Sequence, residues 1–183
     1  MLELAAYMAG ALKRKLPPEV SERAKIHLVD TVSAIVSGTR LLPGKRAVAY
    51  VKSLRGPREA GVLGTRVVTS AMYAALANGI SAHADETDDT HPPTRSHPSA
   101  SIVPAVLAIG ERNELAGEAM LRAMVLGWDI GTRVLLALDK EHLLRTGHHA
   151  GAKAGLFGSA AATAALLKLD ARRMRYVLAY CSQ

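Results

Sequence analysis

At 183 residues, with 49% hydrophobic and 21% charged side chains, the chain is long and apolar enough for one folded domain, which excludes a disordered segment. Its single cysteine, Cys181, excludes an internal disulfide framework. The net charge of +7 is scattered, with basic clusters at Lys13 to Lys15, Lys45 to Arg46, Arg55 to Arg66 and Arg172 to Arg175 and no interleaved aromatics for base stacking, so an anionic metabolite is as good a partner as nucleic acid, and ordinary solvated helix faces account for the charge equally well.

No apolar run reaches the length of a membrane span. The N-terminus is acidic at Glu3 and lacks the basic region of a secretory leader, so a soluble cytoplasmic protein with no membrane partner is expected. Aromatic residues make up only 4%, so the core must be built from Ala, Leu, Val and Ile, and Ala-rich cores favour closely packed helices.

The pattern predicts a first helix over Leu2 to Lys15, stopped by Pro17 and Pro18, which also open the next. Val20, Ala24, Leu28, Val32, Ile35 and Val36 form a helical stripe that ends at Gly38, read as its C-terminal cap. After Pro43 and Gly44 a short helix is expected around Ala47 to Leu54. Gly56, Pro57, Gly61 and Gly64 then break the chain, and Val67 to Ala82 is again helical. Residues 83–99 lack hydrophobic periodicity and read as a loop. Helical periodicity returns at Ser101 to Glu111 and at Leu115 to Leu138, the latter apolar nearly all round and so expected to be a central buried helix carrying Trp128 in the core. Beyond a polar break, where His142 is expected at a helix-end surface, the Gly-rich stretch Gly147 to Gly158 opens a helix over Ser159 to Leu169, and Asp170 starts a last one. The alternating strand–helix pattern of a doubly wound sheet is absent. The expectation is a single all-α domain over residues 1–183, a multi-helix bundle. The helical pattern still runs at Tyr180 to Gln183, so the functional unit is expected to continue elsewhere.

The loop carries the chemistry. It reads His83-Ala84-Asp85-Glu86-Thr87-Asp88-Asp89-Thr90-His91, then Ser96-His97-Pro98-Ser99. Carboxylates and imidazoles at this density are raw material for a metal site or for acid–base catalysis, and equally for a solvated capping segment. The helical His-x-x-x-His pair of a metalloprotease is missing. The prolines stiffen the loop, which helps hold side chains in fixed geometry. Elsewhere, His27 lies near an apolar stripe and reads as structural. Cys181 in the last turn reads as packing rather than nucleophile. Gly44-Lys45 does not complete a phosphate loop.

Several stretches in order resemble the MmgE/PrpD family of cofactor-free lyases and isomerases of small polycarboxylic acids. That family includes 2-methylcitrate dehydratase, cis-aconitate decarboxylase and an iminodisuccinate epimerase. The stretches are Ala24 to Gly38 with Asp30, Ala75-Leu76-Ala77-Asn78-Gly79, His83, Asp88-Asp89-Thr90-His91, His97-Pro98-Ser99, and Gly147-His148-His149 leading to Gly155 to Ala161. The resemblance implies catalytic roles for Glu86, Thr90, His97 and His149. Glu86 stands where family members usually carry Asp, and the extra methylene displaces the carboxylate by roughly 1 Å. His148 is the alternative to its neighbour His149. Ala150 and Gly151 replace the family's Pro-Thr, and Lys153 stands where a small residue is common.

Substrate carboxylates need cationic or N–H donors. Arg95, Lys153, Asp89 and His91 are the expected substrate-binding residues, together with the N-terminus of the helix after Gly155. Asp88 and Asp89 can also cap helices and position Thr90. No metal or redox cofactor is implied. Dehydration of a β-hydroxy acid needs a base for the proton beside a carboxylate and an acid for the leaving hydroxyl, and histidines, with an ordinary pKa of ~6.5, can serve either role.

Family members also carry a lysine on a later helical segment and a lid domain that supplies a histidine and a tyrosine, none of which occurs in this sequence. The chain is therefore expected to supply one wall of the pocket in a 2-methylcitrate dehydratase-like lyase, as a homodimer or in a hetero-complex with a lid-bearing subunit. A cis-aconitate decarboxylase-like or epimerase activity, and a non-catalytic fragment, are the alternatives.

Overall fold

A computed structural model describes residues 1–138 and 140–183. Asp139 and the side chains of Lys140, His142 and Ala150 lie outside the described residues, and the surface placing of His142 with them. The described residues are helical apart from loops and one minimal hairpin. In chain order they form α1 (Leu2–Ala11), α2 (Pro18–Gly38), α3 (Leu42–Ser53), β1 (Ala60–Gly61), β2 (Val68–Thr69), α4 (Ala71–Ala82), α5 (Ser99–Arg112), α6 (Gly117–Ala137), α7 (Lys140–Arg145), α8 (Ala150–Leu166) and α9 (Ala171–Cys181). The all-α expectation holds. No described helix is long and apolar enough to cross a membrane.

The helices pack as two groups that share α5. In one, α8 lies against α5, α6 and α9, with α1 closing the far side. Met8, Ile130, Met174 and Leu178 fill that core. In the other, α4 lies against α2, α3 and α5 over Ala47, Val51, Ala74 and Ala77. Ile102, Val103 and Val106 of α5 meet Met124 and Ala162 between the groups. With so few aromatics, cohesion comes from close backbone approach. A Cβ on Gly131 of α6 would lie 2.5 Å from the Ala154 carbonyl oxygen of α8. One on Gly158 would lie 2.7 Å from the Gly127 carbonyl oxygen. Glycine is required at these crossings because no side chain fits there.

Several boundaries differ from the sequence expectation, each for a physical reason. Helix α1 ends at Ala11, and Leu12 to Lys15 form its exit toward Pro17. Val67 to Thr69 leave the expected helix because Val68 and Thr69 pair antiparallel with Gly61 and Ala60. Ser70 then caps α4 by accepting the Tyr73 N–H. Gly38 is the last residue of α2, and its role is packing: a Cβ there would sit 1.8 Å from the Ser81 carbonyl oxygen. The largest difference lies in the Gly-rich stretch. Helix α8 already begins at Ala150 and runs through Gly155 and Gly158, so the N–H donors expected after Gly155 are spent inside the helix. Those glycines sit where α8 presses on Ser101, Ile102 and Gly127. Sequence alone does not separate a glycine that opens a turn from one that lets two helices touch. Asp170 does cap the last helix, accepting the Arg173 N–H at 2.8 Å. Cys181 is half-buried, and burial pushes its thiol above the ordinary value, which agrees with packing rather than nucleophilic duty.

Candidate active site

The loop between α4 and α5 is held by its own polar groups. His91 donates its N–H to the Ser96 carbonyl at 2.9 Å, closing a turn over Pro92 and Pro93. Inside it, Thr94 Oγ1 lies 2.7 Å from His91 Nδ1 and 2.8 Å from Ser96 Oγ. Thr94 and Ser96 are buried although polar, and these bonds satisfy them. Arg95 sits exposed on the turn with φ +50°, a left-handed conformation. The turn doubles the chain back and delivers His97 beside the end of α4.

The two consecutive aspartates serve opposite sides of the loop, as successive residues of an extended segment do. Asp88 is fully buried between two imidazoles. Its Oδ1 and Oδ2 lie 3.1 and 3.2 Å from His83 Nδ1, and its Oδ1 is 3.6 Å from His97 Nδ1. The rings of His83 and His97 are 5.1 Å apart. Asp89 caps α5 instead. It accepts the Ser99 N–H at 3.1 Å and the Ser99 hydroxyl at 2.6 Å, and His27 Nδ1 stands 3.4 Å away. Trp128 donates its indole N–H to Ser99 Oγ at 2.8 Å. The expected capping role therefore falls to Asp89, whereas Asp88 holds histidines.

Two cavities flank the loop. One, of about 650 Å³, is lined by His83, His97 and His149 over an apolar floor that includes Leu76, Ile80 and Ala100. The other, of about 580 Å³, is lined by Asp89, His91, His27 and Trp128, with Arg23, Glu19 and Asp129 at its polar side. The residues read from the sequence as one site are thus divided. His97 and His149 share the first cavity. Asp89 and His91 face the second. Glu86, with φ +55°, and Thr90 are exposed on the loop, and neither lines either cavity. Arg95 and the half-buried Lys153 line neither.

His149 reaches the first cavity from the N-terminus of α8. Its Nδ1 accepts the Ala152 N–H at 3.1 Å, so the side chain caps the helix while its ring lines the cavity. Gly151 makes room for this. A Cβ there would lie 2.9 Å from His149 Cε1, so glycine leaves the space over which the imidazole folds. His148, the alternative to His149, lines neither cavity.

His83 and Asp88 were visible in the motif, but their convergence with His97 was not. One ligand atom from each of the three lies within 4.8 Å of the others, close enough to share a cation. His83 ends α4, and the buried turn over residues 91–96 returns His97 to it, a closure that linear spacing does not reveal.

Comparison with known proteins agrees with the motifs. The model of the MmgE/PrpD N-terminal domain matches residues 2–182. Cis-aconitate decarboxylase of Aspergillus terreus is 28% identical over 187 residues, covering 99% of this chain and 38% of the relative. The human cis-aconitate decarboxylase is 29% identical over 170 residues, covering 90% of this chain and 35% of the relative. A cis-aconitate decarboxylase-like protein of Aspergillus oryzae is 29% identical, with 91% of this chain and 36% of the relative covered. The chain thus spans less than two-fifths of the length of the curated relatives it matches, and over that span it belongs to the MmgE/PrpD family, as its N-terminal domain.

Proposed function

We propose that this chain supplies the imidazole-bearing wall of a lyase acting on a small polycarboxylate, with cis-aconitate the first substrate to test. The observation that carries the reading is the first cavity: His83, His97 and His149 around about 650 Å³, with the buried carboxylate of Asp88 behind two of them. A volume of that order suits a small ligand. Imidazoles supply what carbon–carbon or carbon–oxygen cleavage beside a carboxylate needs: a proton acceptor or donor near neutral pH and N–H groups for anionic oxygens. The names carried by three relatives favour loss of CO2 over loss of water.

The wall is incomplete as a site. Among the described residues no lysine or arginine lines the first cavity, so cations for the substrate carboxylates come from Arg95 or Lys153 after a rearrangement, or from polypeptide outside this chain. Glu86 and Thr90, on the exposed loop, are proposed to join the site when that polypeptide closes over them. The test is turnover of cis-aconitate, with 2-methylcitrate as the dehydration control. This chain alone is expected to show little or none, and the same chain completed to the length of its relatives, in one polypeptide or with a partner, is expected to release CO2. Robust turnover by the chain alone, or no lyase activity in the completed protein, overturns the reading.

An apolar stripe on α4 supports a place for that completion. Met72, Leu76 and Ile80 follow at four-residue intervals down α4 and stay 69%, 43% and 39% exposed, and the last two run into the cavity rim. A contiguous apolar strip beside a polar site is the usual signature of an interface. The proposed occupant is a second copy of this chain or a lid-bearing subunit. Sedimentation of the chain at micromolar concentration is therefore expected to show an oligomer, and Met72→Glu to shift it toward monomer. A monodisperse monomer counts against the self-association arm.

A further inference from the structure

The polar contacts behind two of the cavity histidines, His149 and His97, are of opposite kinds, and each kind dictates where a ring carries its proton. At His149, Nδ1 accepts the Ala152 N–H at 3.1 Å. A nitrogen whose lone pair holds a backbone N–H carries no proton of its own, so the ring proton sits on Nε2. At His97, Nδ1 is buried, makes no hydrogen bond, and faces the Asp88 carboxylate oxygen at 3.6 Å. A carboxylate only accepts, so the proton belongs on Nδ1, and about half an ångström of closure completes the bond. Nε2, on the far side of the ring, is left for the cavity. His83 satisfies the same carboxylate through its own Nδ1. A carboxylate with no exposed surface needs such donors, because burial without them is costly.

From this we infer a division of labour: His97, positioned by Asp88, moves the proton at the reacting carbon, while His149 is a fixed N–H donor to a substrate oxygen and carries no proton in the reaction. The inference rests on the lyase reading of this cavity. In loss of CO2 the carbon–carbon electron pair stays on the substrate carbon, CO2 departs, and one proton passes from His97 Nε2 to that carbon. The ring thereby goes from imidazolium to its neutral Nδ1–H form and is recharged from solvent. Asp88 faces Nδ1 in both forms and so accommodates the charge without being protonated. His149 could donate its one ring proton only by becoming an imidazolate, or by giving up the α8 cap. Its N–H suits a developing negative oxygen instead. Asp88 is thus a positioning residue for a reaction whose proton passes through His97.

The test is the tautomer of each ring, read by long-range proton–nitrogen NMR of the histidine-labelled chain and assigned with His97→Gln and His149→Gln. At a pH where the rings are neutral, His149 is expected as the Nε2–H form and His97 and His83 as Nδ1–H. In Asp88→Asn, His97 is expected to shift toward Nε2–H while His149 is unchanged. His149 as Nδ1–H, or His97 as Nε2–H in the wild type, overturns the division of labour, and that readout stands even if Asp88→Asn does not fold. An unshifted His97 in a folded Asp88→Asn chain overturns the role of Asp88. Zinc added to the chain is the further arm. A one-to-one site that Asp88→Asn abolishes would show His83, Asp88 and His97 to be ligands rather than a proton relay. None of these readouts needs turnover, so a failure of the lyase reading is distinguishable from a failure of the inference.

Discussion

In the completed protein, His97→Ala is expected to lower kcat with cis-aconitate by about 100-fold or more, the scale of a lost acid–base group. His149→Ala is expected to cost a similar factor for a different reason, the loss of one donor to developing charge, for which about 100-fold is also typical. Glutamine separates the two. It keeps an N–H donor at the end of a side chain of comparable reach but moves no proton, so His149→Gln should recover much of the activity and His97→Gln none. His27→Ala is the control. Its ring packs 5.4 Å from Trp128 on the second cavity, and its loss should reduce stability while leaving kcat nearly unchanged. Steady-state kinetics of the five variants decides. Equal rescue of both glutamine variants, or a large kcat effect at His27, would mean that the wrong cavity has been chosen.

The second large effect concerns stability. Gly38→Ala introduces a methyl 1.8 Å from the Ser81 carbonyl oxygen and 2.7 Å from its carbon, where α2 meets the end of α4. The obstacle is backbone, so no rotamer relieves it, and overpacking of this kind costs about 3 kcal/mol. Alanine's better helix propensity returns about 1 kcal/mol. The expected net loss is about 2 kcal/mol, measured by urea denaturation. Gly10→Ala, which meets nothing within 4 Å, should instead be neutral or slightly stabilising. A Gly38→Ala chain as stable as the wild type would mean that α2 and α4 are not packed as described. Because Ser81 precedes His83 by two residues, relief of the clash by movement of α4 would also move the first imidazole of the site.

Long periodic segments were legible from the sequence. The stripe from Val20 to Val36 and the apolar run from Leu115 to Leu138 each became a helix within a few residues of expectation, because burying an apolar face at period 3.6 has few solutions. The loop over residues 83–99 was equally plain, since no periodic burial competes there. What failed were inferences from glycine. Gly38, Gly155 and Gly158 were read as punctuation and turned out to be contact points between helices, which depends on a partner surface the linear sequence does not display.

The site shows the same limit. His97 and His149 were named from their motifs, and they do line one cavity. The partition of Asp88 from Asp89, and of His97 from His91, was not legible. It arises when the turn over residues 91–96 closes on its buried Thr94 and Ser96, and which way each side chain then faces is decided by hydrogen bonds made across that closure.

The bond from Trp128 to Ser99 has a practical consequence. Trp128 is the chain's single tryptophan, and through Ser99 Oγ its indole is joined to Asp89, the anchor of the loop that also carries Asp88 and His97. The colour of its fluorescence therefore registers whether that loop is seated. Detachment of the loop would wet the indole and shift its emission to longer wavelength, and His27 beside it would act as a quencher when charged. The protein thus carries an optical gauge of the order of its candidate site, readable in dilute solution without a label and without turnover.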